Sequence, residues 1–153
     1  MPVYFFDSSA IVKRYVKETG TEWIIKLTDP AKLNRIYIAS ITGVEVVSAI
    51  SRRARNGDIS KAETFDATDQ FTLDFYSQYR VLEITYTLIN EAMVLAIRFP
   101  LRGYDAVQLA AALAINERRL LLSLPSLTLI SADDALNAAA ISEGLTVNNP
   151  NEL

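Results

Sequence analysis

The chain has 153 residues, half of them hydrophobic, with five glycines and five prolines, which predicts one domain with a sizeable core rather than a disordered chain. Cysteine and histidine are both absent, which excludes disulfides, most zinc sites and nucleophiles of the Ser-His-Asp or Cys-His kind. The net charge of −3 argues against nucleic-acid binding by general electrostatics, but a local basic patch or a metal that bridges carboxylates to phosphates remains compatible with it.

Membrane insertion and secretion are not expected. No apolar run approaches the roughly 20 residues of a membrane helix, because charged or polar residues interrupt each one. The N-terminus has no basic region and no cleavage site before its first apolar run, so we expect no secretory signal. The absence of cysteine suits a reducing compartment, and we therefore expect a cytoplasmic protein without a membrane partner.

The first segment of the chain is a predicted strand, followed by an acid and a helix. Residues 2–6 are apolar, aromatic and β-branched, which indicates a buried strand. Asp7, Ser8 and Ser9 follow, and residues 10–16 have a helical pattern. We expect Ser8 or Ser9 to cap this helix, which leaves Asp7 for another role, although Asp7 itself is the alternative cap.

The remaining chain continues the alternation of helices and strands. Further helices are predicted over residues 21–28, 43–55, 60–79, 87–99, 101–119 and 135–143. Further strands are predicted over residues 36–39, 80–84, 127–131 and 145–147, while residues 120–124 are apolar but irregular and remain without assignment. This alternation predicts a single α/β domain over residues 1–153, with a mostly parallel sheet of about five strands and helices on both faces.

Four acids occupy positions that such a sheet can bring together. Asp7 and Asp133 directly follow predicted strands, whereas Glu45 and Asp105 are expected in the first turns of apolar helices. Each one alone also fits an ordinary acid near a helix N-terminus. In a doubly wound sheet, however, these positions converge at the carboxyl edge, where four carboxylates would repel one another unless a cation neutralised them. Mg²⁺ or Mn²⁺ fits, since both accept carboxylate and water oxygens and can activate water beside a phosphate.

The same acids lie within longer motifs. These are Val-Tyr-Phe-Phe-Asp-Ser-Ser-Ala-Ile-Val-Lys at the N-terminus, Glu45 in a helix, Arg102-x-x-Asp105-Ala-x-x-Leu-Ala, Ser131-Ala-Asp133-x-x-Leu-x-x-Ala-Ala and a late Gly-Leu-x-Val-x-Asn-Pro. Over essentially the whole chain they resemble the PIN-domain ribonucleases, and among these the VapC toxins of toxin–antitoxin systems. The resemblance implies a PIN-like three-layer α/β sandwich, RNA cleavage that depends on Mg²⁺ or Mn²⁺, a homodimer, and a cognate antitoxin whose tail blocks the acidic site.

The resemblance also implies roles for individual residues. Four acids would bind the metal and serve catalysis: Asp7, Glu45, Asp105 and Asp133. Asp134 replaces Asp133 if the preceding strand ends one residue later. Ser9 and Ser131 would orient carboxylates or waters, or they simply cap helices. We expect hydrolysis by a metal-activated water that Asp105 or Asp7 also positions, and no side chain is an obvious general acid for the leaving oxygen.

Basic residues near the acids are candidates for contacts with RNA phosphates: Lys13, Arg14 and Arg102. The cluster Arg52, Arg53 and Arg55 stands at the end of a predicted helix, where cations are favoured anyway, so we expect a structural role for it. The aromatic residues lack the spacing of a base-stacking platform and are expected in the core and dimer interface.

Two other classes of protein are compatible with parts of the pattern. A PIN-like module that has lost catalysis would serve as a binding or scaffold partner, and metal binding separates it from a nuclease. A phosphatase of the Asp-x-Asp kind requires a second acid where Ser9 stands, and a receiver domain requires a late lysine that is not evident. The nuclease hypothesis is therefore favoured.

Overall fold

The computed structural model describes residues 2–153. Its strands are β1 (Val3–Phe6), β2 (Arg35–Ala39), β3 (Arg80–Leu82), β4 (Thr128–Ile130) and β5 (Thr146–Asn148). Its α-helices are α1 (Ser8–Ile11), α2 (Thr21–Thr28), α3 (Ile41–Arg55), α4 (Lys61–Ser77), α5 (Tyr86–Arg98), α6 (Gly103–Leu121) and α7 (Asp134–Ser142). Short 3-10 turns cover Val12–Arg14, Pro30–Lys32 and Pro150–Glu152. None of the helices within residues 2–153 is both long and apolar enough to span a membrane.

All five strands form one parallel sheet in the order β3-β2-β1-β4-β5. The central strand, β1, pairs with β2 on one side and with β4 on the other, so that Phe5 stands opposite both Tyr37 and Leu129. The chain moves outward from β1 to β3 and then returns to β4, which makes the carboxyl ends of β1, β2 and β4 neighbours at the point where the strand order reverses. Open α/β sheets bind their ligands at this point.

Successive residues of each strand contribute to opposite layers, because side chains alternate across a sheet. Phe5 and Leu129 pack with α5, α6 and α7 in one buried cluster. Phe6 and Ile130 pack with the first four helices in the other. These two clusters make a three-layer sandwich, which confirms the predicted α/β class, the parallel sheet and the helices on both faces.

Several predicted boundaries are wrong. The helix predicted over residues 10–16 begins at Ser8 and tightens into a 3-10 turn after Ile11. The helix α3 begins at Ile41, one residue after Ser40, so Glu45 lies in the second turn and not in the first. The helix α6 continues to Leu121 and takes up the beginning of the segment that had no assignment.

Candidate active site

A cleft of about 610 Å³ lies at the carboxyl edge of the sheet, and all four predicted acids line it: Asp7, Glu45, Asp105 and Asp133. Four different segments of the chain supply them. Asp7 follows β1, Glu45 stands on the helix after β2, and Asp133 comes after β4. Asp105 reaches the same cleft from the N-terminus of α6. The alternative fourth acid, Asp134, is exposed and does not line the cleft.

Asp7 is held at the floor of the cleft by neutral donors. Its Oδ1 accepts hydrogen bonds from the Ser9 hydroxyl at 2.7 Å and from the Ala10 amide at 3.1 Å. Its Oδ2 accepts one from the Ser131 hydroxyl at 3.2 Å. Burial raises the pKa of Asp7 to about 7, although these hydrogen bonds oppose the rise. The bond from Ala10 makes Asp7 the N-cap of α1, so the expectation that Ser8 or Ser9 caps this helix is wrong.

Asp105 lies in the first turn of α6 and is 5% exposed. No donor among residues 2–153 contributes to the pKa of Asp105 through a hydrogen bond to its carboxylate. Burial, together with the negative charges of Asp133 and Glu45, raises that pKa to about 6, while Arg102 opposes the rise. Asp105 is therefore the least tethered carboxylate of the four.

Two serines connect the acids that follow β1 and β4. The Ser9 hydroxyl donates to Asp7 and accepts from the Ala132 amide at 3.0 Å. The Ser131 hydroxyl likewise donates to Asp7 and accepts from the Asp133 amide at 3.1 Å. Neither serine caps a helix, since Asp133 itself caps α7 by accepting a 2.8 Å bond from the Leu136 amide. The hydroxyls fix the carboxylates relative to one another.

Glu45 is oriented by residues that the sequence hypothesis omitted. Its Oε1 accepts hydrogen bonds from the Ser8 hydroxyl at 2.7 Å and from Gln108 Nε2 at 2.9 Å. Gln108 is 1% exposed, and the same Nε2 lies 2.9 Å from Thr42 Oγ1. Its Oε1 is buried without a hydrogen-bond partner in the described part of the chain. A signal was present, because Gln108 is a lone polar residue one turn after Asp105 on an apolar helix.

The three predicted phosphate contacts have different surroundings. Lys13 lines the cleft, but it is buried and its Nζ lies 3.1 Å from Glu18 Oε1. Arg14 does not line the cleft and instead forms an ion pair with Asp74. Arg102 is exposed at the mouth of the cleft, where its Nη1 lies 2.7 Å from the Tyr104 hydroxyl.

Comparisons with known proteins agree with this architecture. Ribonuclease VapC45 from Mycobacterium tuberculosis is 34% identical over 147 residues, which cover 96% of this chain and 95% of that protein. PAE2754 from Pyrobaculum aerophilum superposes with a TM-score of 0.63 at 22% identity, over 95% of this chain and 89% of that one.

VapBC2 from Rickettsia felis, in a crystal structure with a DNA fragment from its promoter, superposes with a TM-score of 0.63 at 17% identity, over 96% of this chain and 98% of that one. No protein-family model matches the chain. The identity to VapC45 extends over nearly the full length of both proteins and shows the family. The chain belongs to the VapC family of PIN-domain ribonucleases.

Proposed function

We propose that this protein is a metal-dependent endoribonuclease, the toxin of a toxin–antitoxin pair, which hydrolyses RNA phosphodiester bonds in the acidic cleft. The observation that carries the proposal is the unneutralised charge of Asp7 and Asp105. Both are buried beside other acids, and both have raised pKa values. Perturbed carboxylates in a cleft are typical of functional sites. Membership of a ribonuclease family supplies the reaction class.

The donor set fits Mg²⁺ or Mn²⁺. The candidate ligands Asp7, Glu45, Asp105 and Asp133 offer only oxygen, the donor these hard cations prefer. Among residues 2–153, no three acids form a group with the geometry to hold a metal ion together. We infer that each ion is bound by one or two carboxylates and keeps several waters, the usual mode for Mg²⁺. A bound cation would supply an activated water and would stabilise the negative charge on the phosphate.

The hydrogen bonds of the four carboxylates differ, and they favour a different role for each acid. Asp7 is fixed through both oxygens, so it serves as a rigid anchor at the floor of the cleft. Glu45 and Asp133 are each fixed through one oxygen, which leaves the other oxygen of each for the cleft. Asp105 is free to orient the attacking water and to accept its proton. The leaving oxygen would take its proton from water.

Arg102 is the predicted phosphate contact that the structure leaves available. It is exposed, and its pKa is raised mainly by the Tyr104 hydroxyl and further by the charges of Asp105 and Asp133. An arginine there would bind a phosphate oxygen of the substrate without reading its sequence.

We also infer a cognate antitoxin whose tail covers the acidic cleft, and a homodimer. Family membership supports both. The dimer has additional support from an apolar groove between α5 and α6, lined by Val94, Leu120 and Leu121, all of which are exposed. Exposed apolar patches of this kind mark interaction surfaces. Light scattering of the purified chain, alone and with its co-expressed partner, measures both assemblies.

Cleavage of a mixed RNA pool tests the proposed function. The wild type should cut RNA with Mn²⁺ or Mg²⁺ and not with EDTA. Asp105→Asn should reduce the rate by about 10²- to 10⁴-fold, the usual effect of losing a general base. Asp134→Asn is the matched control, because it removes an exposed acid outside the cleft, and its rate should equal that of the wild type.

A thermal shift measurement accompanies the assay. Mn²⁺ should raise the midpoint of the wild type more than that of Asp105→Asn. A protein that neither cuts RNA nor responds to Mn²⁺ would contradict the nuclease and favour a scaffold module.

A further inference from the structure

Arg52 stands on the side of α3 that faces the cleft. It follows Glu45 by seven residues, which is about two turns or roughly 10 Å along the helix axis. Residues at this spacing share one face of a helix, and the two intermediate positions on that face, Ser48 and Ala49, also line the cleft. The Arg52 side chain therefore extends from the same wall of the cleft as Glu45, roughly 10 Å farther along the axis of α3.

Arg52 differs from its basic neighbours because it has no ion-pair partner in the described part of the chain. It is exposed and forms no ion pair within residues 2–153. The adjacent Arg53 contacts Glu18 at 2.9 Å and Asp58 at 3.5 Å. Lys13 contacts the same Glu18. Because Arg53 and Lys13 already bind Glu18, Glu18 does not pair with Arg52. The charge of Arg52 therefore remains available to a ligand in the cleft.

A second exposed cation, Arg102, lines the same cleft from a different element. The helix α3 extends from β2, whereas Asp133 follows β4, and the central strand β1 with Asp7 lies between them. Arg102 is the N-cap residue of α6, three positions before Asp105, and it lines the cleft with Asp105 and Asp133. The cleft thus has four acids and, among residues 2–153, two exposed arginines in its lining, Arg52 on α3 and Arg102 at the N-terminus of α6.

We propose, on the basis of the endoribonuclease function above, that Arg52 binds a backbone phosphate of single-stranded RNA beside the scissile one. The RNA strand then crosses the sheet edge from α3 to the N-terminus of α6, where Arg102 binds a second phosphate. Arginine suits this contact, since its planar fork binds phosphate oxygens in pairs. A single strand fits the observation that Tyr104, half-exposed beside Arg102, presents an aromatic ring for base stacking.

The competing explanation is that Arg52 only complements the C-terminal end of α3, where cations are favoured. Arg55 provides a matched control for this explanation. It is exposed in the same last turn of the same helix and does not line the cleft. The two substitutions Arg52→Ala and Arg55→Ala therefore each remove one positive charge from the last turn of α3.

The test uses the intact protein with Mn²⁺ and a labelled single-stranded RNA that the wild type cuts, with KM and kcat measured at several salt concentrations. Arg52→Ala should raise KM about tenfold, as expected for one lost bond to a charged group, with kcat within a factor of about two. The slope of log(kcat/KM) against log[salt] should become less steep by about 0.7, the value for one phosphate on a single strand. Arg52→Lys should recover part of the KM, and Arg55→Ala should behave as the wild type.

Equal increases of KM in Arg52→Ala and Arg55→Ala would overturn this inference and leave the nuclease intact. A loss confined to kcat in Arg52→Ala would also overturn it. Wild-type protein that cuts no RNA with either metal would overturn the proposed function and the inference together, and the wild-type control alone identifies that outcome.

Discussion

Asp74 and Asp7 are both almost fully buried, and their surroundings are opposite. Asp74, on α4, is 5% exposed and its Oδ2 lies 3.4 Å from Arg14 Nη1. It also accepts hydrogen bonds from the Tyr15 hydroxyl at 2.7 Å and from Gln70 Nε2 at 3.0 Å. Both oxygens are used and the charge is matched, so Asp74 is a structural carboxylate.

Asp7 is 2% exposed and has only neutral donors around it. The charged group that most affects it is another acid, Asp105, which raises its pKa. A buried carboxylate without a counter-charge costs folding free energy. The contrast shows that the fold places a cation beside Asp74, the buried carboxylate with a purely structural role. At the cleft, the described residues supply Asp7 with no such partner.

The largest effect is expected at the structural site. Asp74→Asn leaves the half-buried Arg14 without its counter-ion, so the free energy of unfolding should fall by about 3–5 kcal/mol. For a chain of this size the melting midpoint would fall by roughly 6–20 °C, taking about 2–4 °C per kcal/mol. Urea denaturation measures the change. Asp69→Asn, an exposed acid on the same helix, is the control, and equal stability of the two variants would contradict a structural role for the pair.

The same substitution at Asp7 should raise the free energy of unfolding, whereas at Asp74 it lowers it. The folded-state pKa of Asp7 is about 7, against an ordinary value of 3.8. Between pH 4 and pH 7 the folded protein therefore holds a proton that the unfolded chain has lost, and stability falls as the pH rises through this range. Asn carries no charge at any of these pH values. Asp7→Asn should match the wild type near pH 4 and exceed its stability at pH 8 by about 4 kcal/mol, since each pKa unit is worth about 1.4 kcal/mol.

Urea denaturation at pH 4 and pH 8, without divalent cations, measures this difference. Adding Mn²⁺ at pH 8 should stabilise the wild type and have less effect on Asp7→Asn, because the cation takes the place of the missing counter-charge. Asp74→Asn should remain destabilised at pH 8 with or without Mn²⁺. If Asp7→Asn is less stable than the wild type at pH 8, the charge of Asp7 is already neutralised within the fold.

Much of the fold was predictable from local pattern. Short apolar runs that end at acids or turns identified all five strands, and their alternation with helices required parallel pairing. The strand order was not predictable, because local alternation does not determine on which side of β1 the returning strand β4 pairs. The edge strand β3 ends at Leu82 and not at residue 84, since it has a neighbour on one side only and the apolar pattern continues beyond the pairing.

The candidate site was predictable where it depends on position along a strand or helix. Asp7 and Asp133 were identified because each follows a predicted strand, and in the structure Asp7 comes directly after β1 and Asp133 three residues after the end of β4. The roles of Lys13 and Arg14 were not predictable, since their neighbours Glu18 and Asp74 come from tertiary packing. Local sequence shows that a charge is close to an acid along the chain, but it does not show which distant group has already neutralised it.

Gln108 extends the comparison to a neutral group that holds an acid in place. Its Nε2 contacts Glu45 Oε1 and Thr42 Oγ1, each at 2.9 Å. Gln108→Leu leaves Glu45 with the Ser8 hydroxyl as its remaining donor, so RNA cleavage should fall about tenfold, the cost of one hydrogen bond to a charged group. Stability should change by less than about 1 kcal/mol, because the substitution also removes a buried Oε1 that has no partner within residues 2–153. Initial rates and urea denaturation measure the two effects.

A double-mutant cycle with Glu45→Gln distinguishes orientation of Glu45 from a general packing effect. If Gln108 acts through the Glu45 carboxylate, Gln108→Leu should weaken Mn²⁺ binding in the wild type and have little further effect once Glu45→Gln is present. Calorimetric titration with Mn²⁺ measures the coupling between Gln108 and Glu45 in Mn²⁺ affinity, and it does not require residual RNA cleavage by the variants. Equal losses of Mn²⁺ affinity in both backgrounds would show that Gln108 acts independently of Glu45. Gln108 would then resemble Asp74, a buried polar group that serves the structure alone.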